Sequence, residues 1–233
     1  MGAIQSTVRK LDKTTYCIDQ FDVHLYLFLG KERALLLDTG FSDADDLMAA
    51  IAGITSLPLV VANSHGHPDH SGGNHKFGQV YAHPDGFARV REYQQGECKL
   101  LPLNEGDTLD LGGRVFEAVS IPGHQEGAIA LLCRAEGLLA PGDNVCTTPV
   151  AMYLPGVDLK QYIQGLEKLE GLSDCFSTIL PSHGEIPVDK GQIGRLKACA
   201  QACLAGQLAG TPAVGPDGTP CQAYTLEGAT LYF

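Results

Sequence analysis

The stretch His65-Gly66-His67-Pro68-Asp69-His70 determines how the rest of this sequence is interpreted. It follows the apolar run 57–62, whose leucine and valine content predicts a buried strand that ends shortly before the first histidine. Three imidazoles and one carboxylate therefore lie within six residues, and Pro68 restricts the backbone that carries them. Because imidazole nitrogen and carboxylate oxygen are common ligands of first-row metal ions, the stretch predicts a metal-binding loop.

Four other short motifs lie along the chain, and each comes at the end of an apolar run. They are Asp38-Thr39-Gly40 upstream of the loop, and Gly123-His124, Gly142-Asp143 and Ser182-His183-Gly184 downstream of it. Strand ends from distant parts of a chain can converge on one rim of a sheet scaffold. The motifs are therefore expected to contribute to the same site as the loop.

The five motifs, in this order, resemble the pattern of the metallo-β-lactamase superfamily. The resemblance implies an α/β fold of four layers, an αββα sandwich in which two mixed sheets lie between outer helices. It also implies that residues 1–233 form a single domain. Turn-forming residues at 216–220 and at Glu227-Gly228 predict a C-terminal hairpin at about 211–233.

The resemblance further implies a set of metal ligands and a residue that supports them. Two divalent metal ions are expected, with His65, His67 and His124 binding the first, Asp69, His70 and His183 binding the second, and Asp143 bridging both. Asp38 matches an aspartate that supports the metal loop through hydrogen bonds in this superfamily. Zn²⁺ suits these donors best, although the same set also accepts iron or manganese.

Asp143 narrows the comparison within the superfamily, because the true β-lactamases carry a cysteine or a serine where this aspartate stands. The resemblance is therefore closer to the glyoxalase II and lactonase-like hydrolases, and it implies a metal-dependent hydrolase. In such an enzyme a hydroxide that bridges the metal ions attacks the carbonyl carbon of a small ester, thioester, lactone or amide. Asp69 is the expected catalytic residue, which orients the nucleophile or takes its proton.

Two segments depart from the pattern of these hydrolases. Gln125 stands where they commonly carry serine or threonine. The run Asn144-Val145-Cys146-Thr147-Thr148 lacks the aromatic and basic residues that glyoxalase II uses around its thioester substrate. These departures leave the substrate open, while the metal-binding motifs are intact.

Two other classes of function fit the same motifs. Persulfide dioxygenases share the fold and bind one iron through the two loop histidines and a third histidine. Bound iron together with sulfur-dependent oxygen uptake would indicate that class. A non-catalytic metal-binding protein is the remaining alternative, and it would load fully with metal but show no activity across wide substrate panels.

Composition limits the partners. The formal charge is −11 and the 16 basic residues are dispersed, with none after Lys197, which argues against nucleic acid and favours a small-molecule substrate. No apolar stretch reaches the roughly 18 residues that cross a bilayer, and the N-terminus does not resemble a signal peptide. A cytoplasmic protein without a membrane partner is expected, with its eight cysteines reduced. The oligomeric state is left open.

Hydrophobic periodicity and turn residues predict the elements around the motifs. Strands are expected at residues 23–29, 34–37, 57–62, 128–133, 137–140 and 177–180, with a hairpin turn at Gly112-Gly113. Helices are expected to begin at about residues 42–45 and to span 85–95, 158–170 and about 191–208. His24, His75 and His83 belong to no motif and are expected to be structural.

Overall fold

The computed structural model describes residues 4–233, and these residues separate into two compact units. The first unit ends at Val119, and the second runs from Ser120 to Phe233. Each unit is described separately below. The expectation of a single domain over 1–233 stays a prediction.

The first unit is built on a seven-stranded sheet whose strands follow one another in sequence order. The first four strands pair antiparallel, and the fourth to the seventh pair parallel. The strands are β1 (Ser6–Lys10), β2 (Thr15–Gln20), β3 (Val23–Leu29), β4 (Ala34–Leu37), β5 (Leu59–Ala62), β6 (Gln79–Ala82) and β7 (Lys99–Pro102).

Three short helices and a hairpin complete the first unit. They are α1 (Leu47–Ala52), α2 (Pro68–Ser71) and α3 (Phe87–Tyr93), with the hairpin strands β8 (Thr108–Asp110) and β9 (Val115–Ser120). Leu47 and Ile51 of α1 belong to the same buried cluster as Leu25 and Leu27 of β3. Burying side chains of this size stabilises a fold by about 1.5–3 kcal/mol each, so this cluster anchors the sheet.

The parallel part of this sheet determines where the metal-binding stretch lies. All four residues of β4 are buried, as expected for a parallel strand covered on both faces. The backbone N–H of Asp38 donates to the carbonyl of Ala62 at 2.8 Å, and that of Asn63 donates to Tyr81 at 2.8 Å. The carboxyl ends of β4, β5 and β6 therefore meet at one edge, which carries Asp38 and the stretch 65–70.

The second unit contains two groups of strands and two longer helices. In chain order its elements are β10 (Ile129–Cys133), β11 (Leu138–Ala140), β12 (Val150–Ala151), α4 (Leu159–Gly171), β13 (Thr178–Ile179), α5 (Gly191–Leu204), β14 (Thr211–Val214), β15 (Pro220–Leu226) and β16 (Ala229–Tyr232). β11 pairs antiparallel with β10 and parallel with β13. The other four strands form a sheet in the order β12-β16-β15-β14, in which β15 and β16 make a hairpin.

The pairing of β11 and β13 brings two motifs of the second unit together. Because these strands are parallel, their carboxyl ends lie at the same edge, and Asp143 and His183 follow those ends. β10 runs in the opposite direction, so its first residue, Ile129, lies at this edge as well. The segment before Ile129 carries His124, so this segment leads to the same edge as the residues that follow β11 and β13.

Several predicted elements are confirmed to the residue or nearly so. β3 and β4 have the predicted bounds, and the hairpin of β8 and β9 turns at the predicted glycine pair. Helix α4 lies one residue later than the predicted range 158–170. Its N-cap is Asp158, whose carboxylate accepts the backbone N–H groups of Lys160 and Gln161.

Three helix boundaries were predicted wrongly. α1 begins at Leu47 rather than at 42–45, because the chain before it forms turns, in which the N–H groups of Ala44 and Leu47 donate to carbonyls only three residues back. α3 covers only Phe87–Tyr93 of the predicted 85–95. α5 ends at Leu204 rather than about 208, since Gly206 has a φ of +66° and breaks the helical path.

Two further features concern membrane-spanning helices and the state of the cysteines, about which the sequence made predictions. Within residues 4–233, none of the helices is both long enough and apolar enough to traverse a bilayer. The eight cysteines are all present as thiols.

Candidate metal centre

The metal loop, defined as residues 65–70, leaves the sheet edge after β5 and enters the single turn of α2. Pro68 occupies the start of this turn, where its missing N–H removes no helical hydrogen bond. Gly66 packs directly against α3, since a Cβ atom there would lie 2.8 Å from the backbone nitrogen of Val90. Local backbone geometry therefore positions the ligand-type side chains of the loop.

Asp38 holds the metal loop from the neighbouring strand end. Its carboxylate accepts the backbone N–H of Ser64 at 2.7 Å, the hydroxyl of Ser64 at 2.7 Å and Nδ1 of His70 at 2.8 Å. The residue is fully buried and has a φ of +65°, which is uncommon outside glycine. Donation from Nδ1 to Asp38 leaves Nε2 of His70 with a lone pair available for a metal ion.

A second set of hydrogen bonds supports the metal loop and was missed by the sequence analysis. The amide of Asn63 donates to the carbonyl of His70 at 3.0 Å, and the hydroxyl of Thr39 donates to the same carbonyl at 3.1 Å. Asn74 ties the two together, because its side chain bonds with both Asn63 and Thr39. The positions of Asn63 and Asn74, just outside the loop on either side, were the available signal.

The ligand-type atoms of the metal loop form two close pairs. Nε2 of His65 lies 2.9 Å from Nδ1 of His67, and Nε2 of His70 lies 3.5 Å from Oδ2 of Asp69. The three imidazoles are buried, whereas the side chain of Asp69 is 21% exposed. Among the ligand-type residues of the loop, Asp69 is thus the one that a substrate can reach most easily.

In the second unit, Asp143 lies between two imidazoles. Its Oδ2 is 3.4 Å from Nε2 of His124, and its Oδ1 is 3.4 Å from Nε2 of His183. One carboxylate oxygen therefore faces each ring. This is the arrangement that a carboxylate needs in order to contribute to two metal ions at once.

The spacing of these donors can be compared with that around a bound metal ion. A first-row ion with ligands at about 2.1 Å places neighbouring tetrahedral ligand atoms roughly 3.4 Å apart. The two separations at Asp143 match this value, and the pairs in the metal loop lie at 2.9 and 3.5 Å. The donor sets of both units fit divalent metal ions, while the assignment of each residue as a ligand stays a prediction.

A third group of ligand-type residues lies on β2 and β3 and has a different character. Cys17, Asp19 and His24 bring their donor atoms together, but the guanidinium of Arg9 also bonds with Asp19 and Cys17. Burial and the charge of Asp19 raise the pKa of the Cys17 thiol, which favours its protonated form. A cation already pairs with the carboxylate here, and Nδ1 of His24 lies 2.6 Å from it. These contacts agree with a structural role for His24, which stays a prediction.

The tripeptide His-Pro-Asp of the metal loop occurs a second time, at His83-Pro84-Asp85. Both copies follow a parallel strand, and in both the proline begins a helical turn. In the second copy Nδ1 of His83 accepts the backbone N–H of Asp85 at 3.3 Å, and the Asp85 side chain is 70% exposed. The second copy therefore caps a turn, and it provides a natural control for the first.

Gln125 is fully buried beside His124. Its backbone carbonyl accepts the N–H groups of Gly123 and Ala128, which closes the turn that carries His124. Gln125, which stands where related hydrolases commonly carry serine or threonine, is therefore buried inside the second unit.

The family model of the metallo-beta-lactamase superfamily matches residues 18–183, a span that contains the first four motifs and Ser182-His183 of the fifth. The chain belongs to this superfamily. Curated relatives include the acyl-coenzyme A thioesterase MBLAC2 of Gallus gallus, with 27% identity over 69% of this chain and 72% of that protein. The hydroxyacylglutathione hydrolase of Pectobacterium carotovorum subsp. carotovorum is 27% identical over 66% of this chain and 59% of that protein. These superfamily relatives are hydrolases, which supports an enzyme of that class.

Solved structures of the superfamily share the fold. A metallo-beta-lactamase from Pontibacter korlensis gives a TM-score of 0.72 at 19% identity, covering 84% of this chain and 99% of that one. A metallo-beta-lactamase family protein from Thermus thermophilus gives 0.67 at 21% identity, covering 89% and 82%. The predicted fold class, the αββα metallo-β-lactamase sandwich, is confirmed.

Proposed function

We propose that this protein is a dinuclear metal-dependent hydrolase that cleaves a small acyl thioester. The observation that carries the proposal is the carboxylate of Asp143, which directs one oxygen to His124 and the other to His183 at 3.4 Å each. The named activities of the curated relatives support the choice of substrate, because acyl-coenzyme A and hydroxyacylglutathione both carry an acyl group on a thiol.

The proposed ligands are those implied by the motifs. The first ion would be held by His65, His67 and His124, the second by Asp69, His70 and His183, and Asp143 would bridge them. Zinc suits this set of imidazoles and carboxylates. Such a site would supply a water of lowered pKa, from which hydroxide would be available near neutral pH.

The remaining steps belong to side chains of the metal loop and its support. Asp69 orients the attacking water and takes its proton, which its partial exposure allows. The carboxylate of Asp38 accepts a hydrogen bond from Nδ1–H of His70. This bond keeps the imidazole in the tautomer that presents Nε2 as a ligand. The water-derived oxygen attacks the acyl carbon, the carbon–sulfur bond breaks, and the departing thiolate takes up the proton held by Asp69 and leaves as the thiol. No serine or cysteine nucleophile is needed.

The test is a substrate panel with the full chain purified without added metal. The panel contains an acyl-coenzyme A, an S-acylglutathione, the matching oxyester and a lactone, and thioester loss is followed by absorbance. Oxygen uptake with a persulfide is measured in parallel. We expect thioester hydrolysis that is abolished by a chelator and restored by zinc, without oxygen uptake.

The two His-Pro-Asp tripeptides supply matched variants for this test. His67→Ala should lose hydrolysis, whereas His83→Ala should retain it. Each histidine precedes a proline that begins a helical turn, but only His67 is a proposed ligand. Oxygen uptake without thioester hydrolysis would replace the proposal with a persulfide dioxygenase. A fully metal-loaded protein that is inert towards the whole panel would also overturn it.

A further inference from the structure

The segment 144–147 follows Asp143 directly. It lacks the aromatic and basic residues that glyoxalase II uses around its substrate. It leaves the short 3₁₀ turn at Gly142–Asn144 and continues through buried residues. Asn144, Val145 and Cys146 are each at most 2% exposed. Residues 144–146 therefore face the interior of the second unit, where their polar atoms must be accounted for, whereas Thr147 is exposed.

One set of its hydrogen bonds reaches the part of the chain that carries His124. The amide of Asn144 donates to the carbonyl of Ile121 at 2.7 Å, and the hydroxyl of Tyr162 on α4 donates to the carbonyl of Asn144 at 2.8 Å. The backbone N–H of Asp158 donates to the carbonyl of Gly123 at 2.8 Å. Helix α4 and the segment thus hold the backbone before His124 from two sides.

Gly123 shows how closely α4 approaches this backbone. A Cβ atom on Gly123 would lie 2.1 Å from the backbone nitrogen of Tyr162, and the glycine has a φ of +132°. Only glycine is compatible with both conditions. The contact leaves no room for movement of the turn that carries His124 towards the helix.

A second set of hydrogen bonds reaches the loop that carries His183. The hydroxyl of Thr147 accepts the backbone N–H of Glu185 at 2.9 Å, and the carbonyl of Gly142 accepts that of Ser182 at 3.3 Å. A Cβ atom on Gly184 would lie 2.2 Å from the Thr147 hydroxyl oxygen. His183 is therefore held on both sides of its own position by the chain that surrounds Asp143.

Helix α5 contacts the middle of the segment. The amide of Gln192, which is 3% exposed, donates to the carbonyl of Cys146 at 2.7 Å. Its Oε1 accepts a hydrogen bond from Nε of Arg195 at 2.9 Å, and this bond determines the orientation of the amide. Both long helices of the second unit thus attach to this segment, through Tyr162 and through Gln192.

From these contacts we infer that residues 144–147 form a positioning frame, which fixes the distances of His124 and His183 from Asp143, and that Tyr162 is its positioning residue on α4. The inference rests on the proposed metal-dependent function. Metal ligands must be held within a few tenths of an ångström of their bound positions, and hydrogen bonds that are buried at Asn144 and Cys146 and exposed at Thr147 supply that restraint. Burial raises the pKa of Tyr162, so its hydroxyl remains a donor at neutral pH.

The test compares two tyrosine variants of the full chain. Tyr162→Phe removes the hydroxyl that bonds with Asn144, and Tyr153→Phe removes a hydroxyl that donates at the same 2.8 Å to Asp217 in a surface turn. Zinc affinity is measured by competition with a chromogenic chelator. We expect Tyr162→Phe to weaken zinc binding by about tenfold, the lower end of effects seen for residues behind metal ligands, and Tyr153→Phe to leave it unchanged.

A second pair of variants tests the other arm of the frame. Thr147→Val should weaken zinc binding, and Thr147→Ser, which keeps the hydroxyl that accepts from Glu185, should restore it. Thermal unfolding of the metal-free variants separates loss of affinity from loss of fold. If the folded Tyr162→Phe and Thr147→Val proteins bind zinc as tightly as the wild type, the positioning frame is wrong while the proposed hydrolase stands. If the wild type itself binds no zinc or other divalent ion, both are wrong.

Discussion

The two ligand-bearing regions of this molecule are built in different ways. In the metal loop, four ligand-type residues lie within six positions, and Asp38 with nearby amides holds them through short hydrogen bonds. In the second unit, His124, Asp143 and His183 come from three segments and are surrounded by contacts from α4 and α5. Both sets of ligands are held by other parts of the chain, but the metal loop is held from neighbouring strand ends of its own sheet, whereas the ligands of the second unit are held through α4 and α5.

This difference predicts which kind of variant affects which property. A change inside the metal loop removes a reacting or ligating group but leaves the elements around it in place. A change in the positioning frame leaves every ligand present but alters their spacing. Loss of a reacting group should therefore appear mainly in turnover, and loss of a supporting contact in either region should appear in metal affinity.

The largest expected effect belongs to the metal loop. Asp69→Ala should lower kcat by about 10²- to 10⁴-fold, the usual contribution of a general base, with a thermal unfolding midpoint close to that of the wild type. Its fold should be retained because the side chain lies on a loop and is partly exposed. Steady-state kinetics and a thermal melt measure the two quantities.

The control for this variant is Asp85→Ala in the second His-Pro-Asp tripeptide, where the carboxylate is 70% exposed. It should keep wild-type kcat. Equal kcat values in the wild type, Asp69→Ala and Asp85→Ala proteins would remove the catalytic role of Asp69 and the contrast between the two regions.

A smaller effect is expected where the loop is supported. Asp38→Asn keeps the size of the side chain, and asparagine also tolerates a positive φ. The variant therefore isolates the loss of the carboxylate charge that faces His70. Zinc affinity should fall by about 10- to 100-fold. Chelator competition is the appropriate measurement.

Asp19→Asn provides the comparison, because Asp19 also bonds with a histidine, His24, at 2.6 Å but lies in the structural cluster on β2 and β3. Its zinc affinity should equal that of the wild type. Equal losses in the two variants would mean that Asp38 acts on stability alone.

The sequence predicted the locally encoded parts of the molecule well. β3 and β4 were bounded correctly because continuous apolar runs end at polar residues there, and the ligand-type residues of the metal loop were recognised from their spacing. α4 was located to within one residue from its apolar stripe. In each case the deciding interactions join residues only a few positions apart.

The parts that could not be predicted depend on contacts between distant residues. The carboxylate of Asp46, just before α1, bonds with the backbone of Ser6, 40 positions away, and no local pattern indicates that pair. The role of residues 144–147 was hidden for the same reason, since their partners Ile121, Tyr162 and Gln192 lie in three other segments. No spacing rule within one segment reveals such pairings.

The most direct test of the central claim is the metal content per chain, measured by elemental analysis of the full-length protein purified without added metal. The proposed dinuclear site predicts about two divalent ions per chain, zinc or a mixed pair, and a content that falls towards one in Asp143→Ala. One iron per chain in the wild type, unchanged in Asp143→Ala, would contradict both the dinuclear site and the bridging role of Asp143.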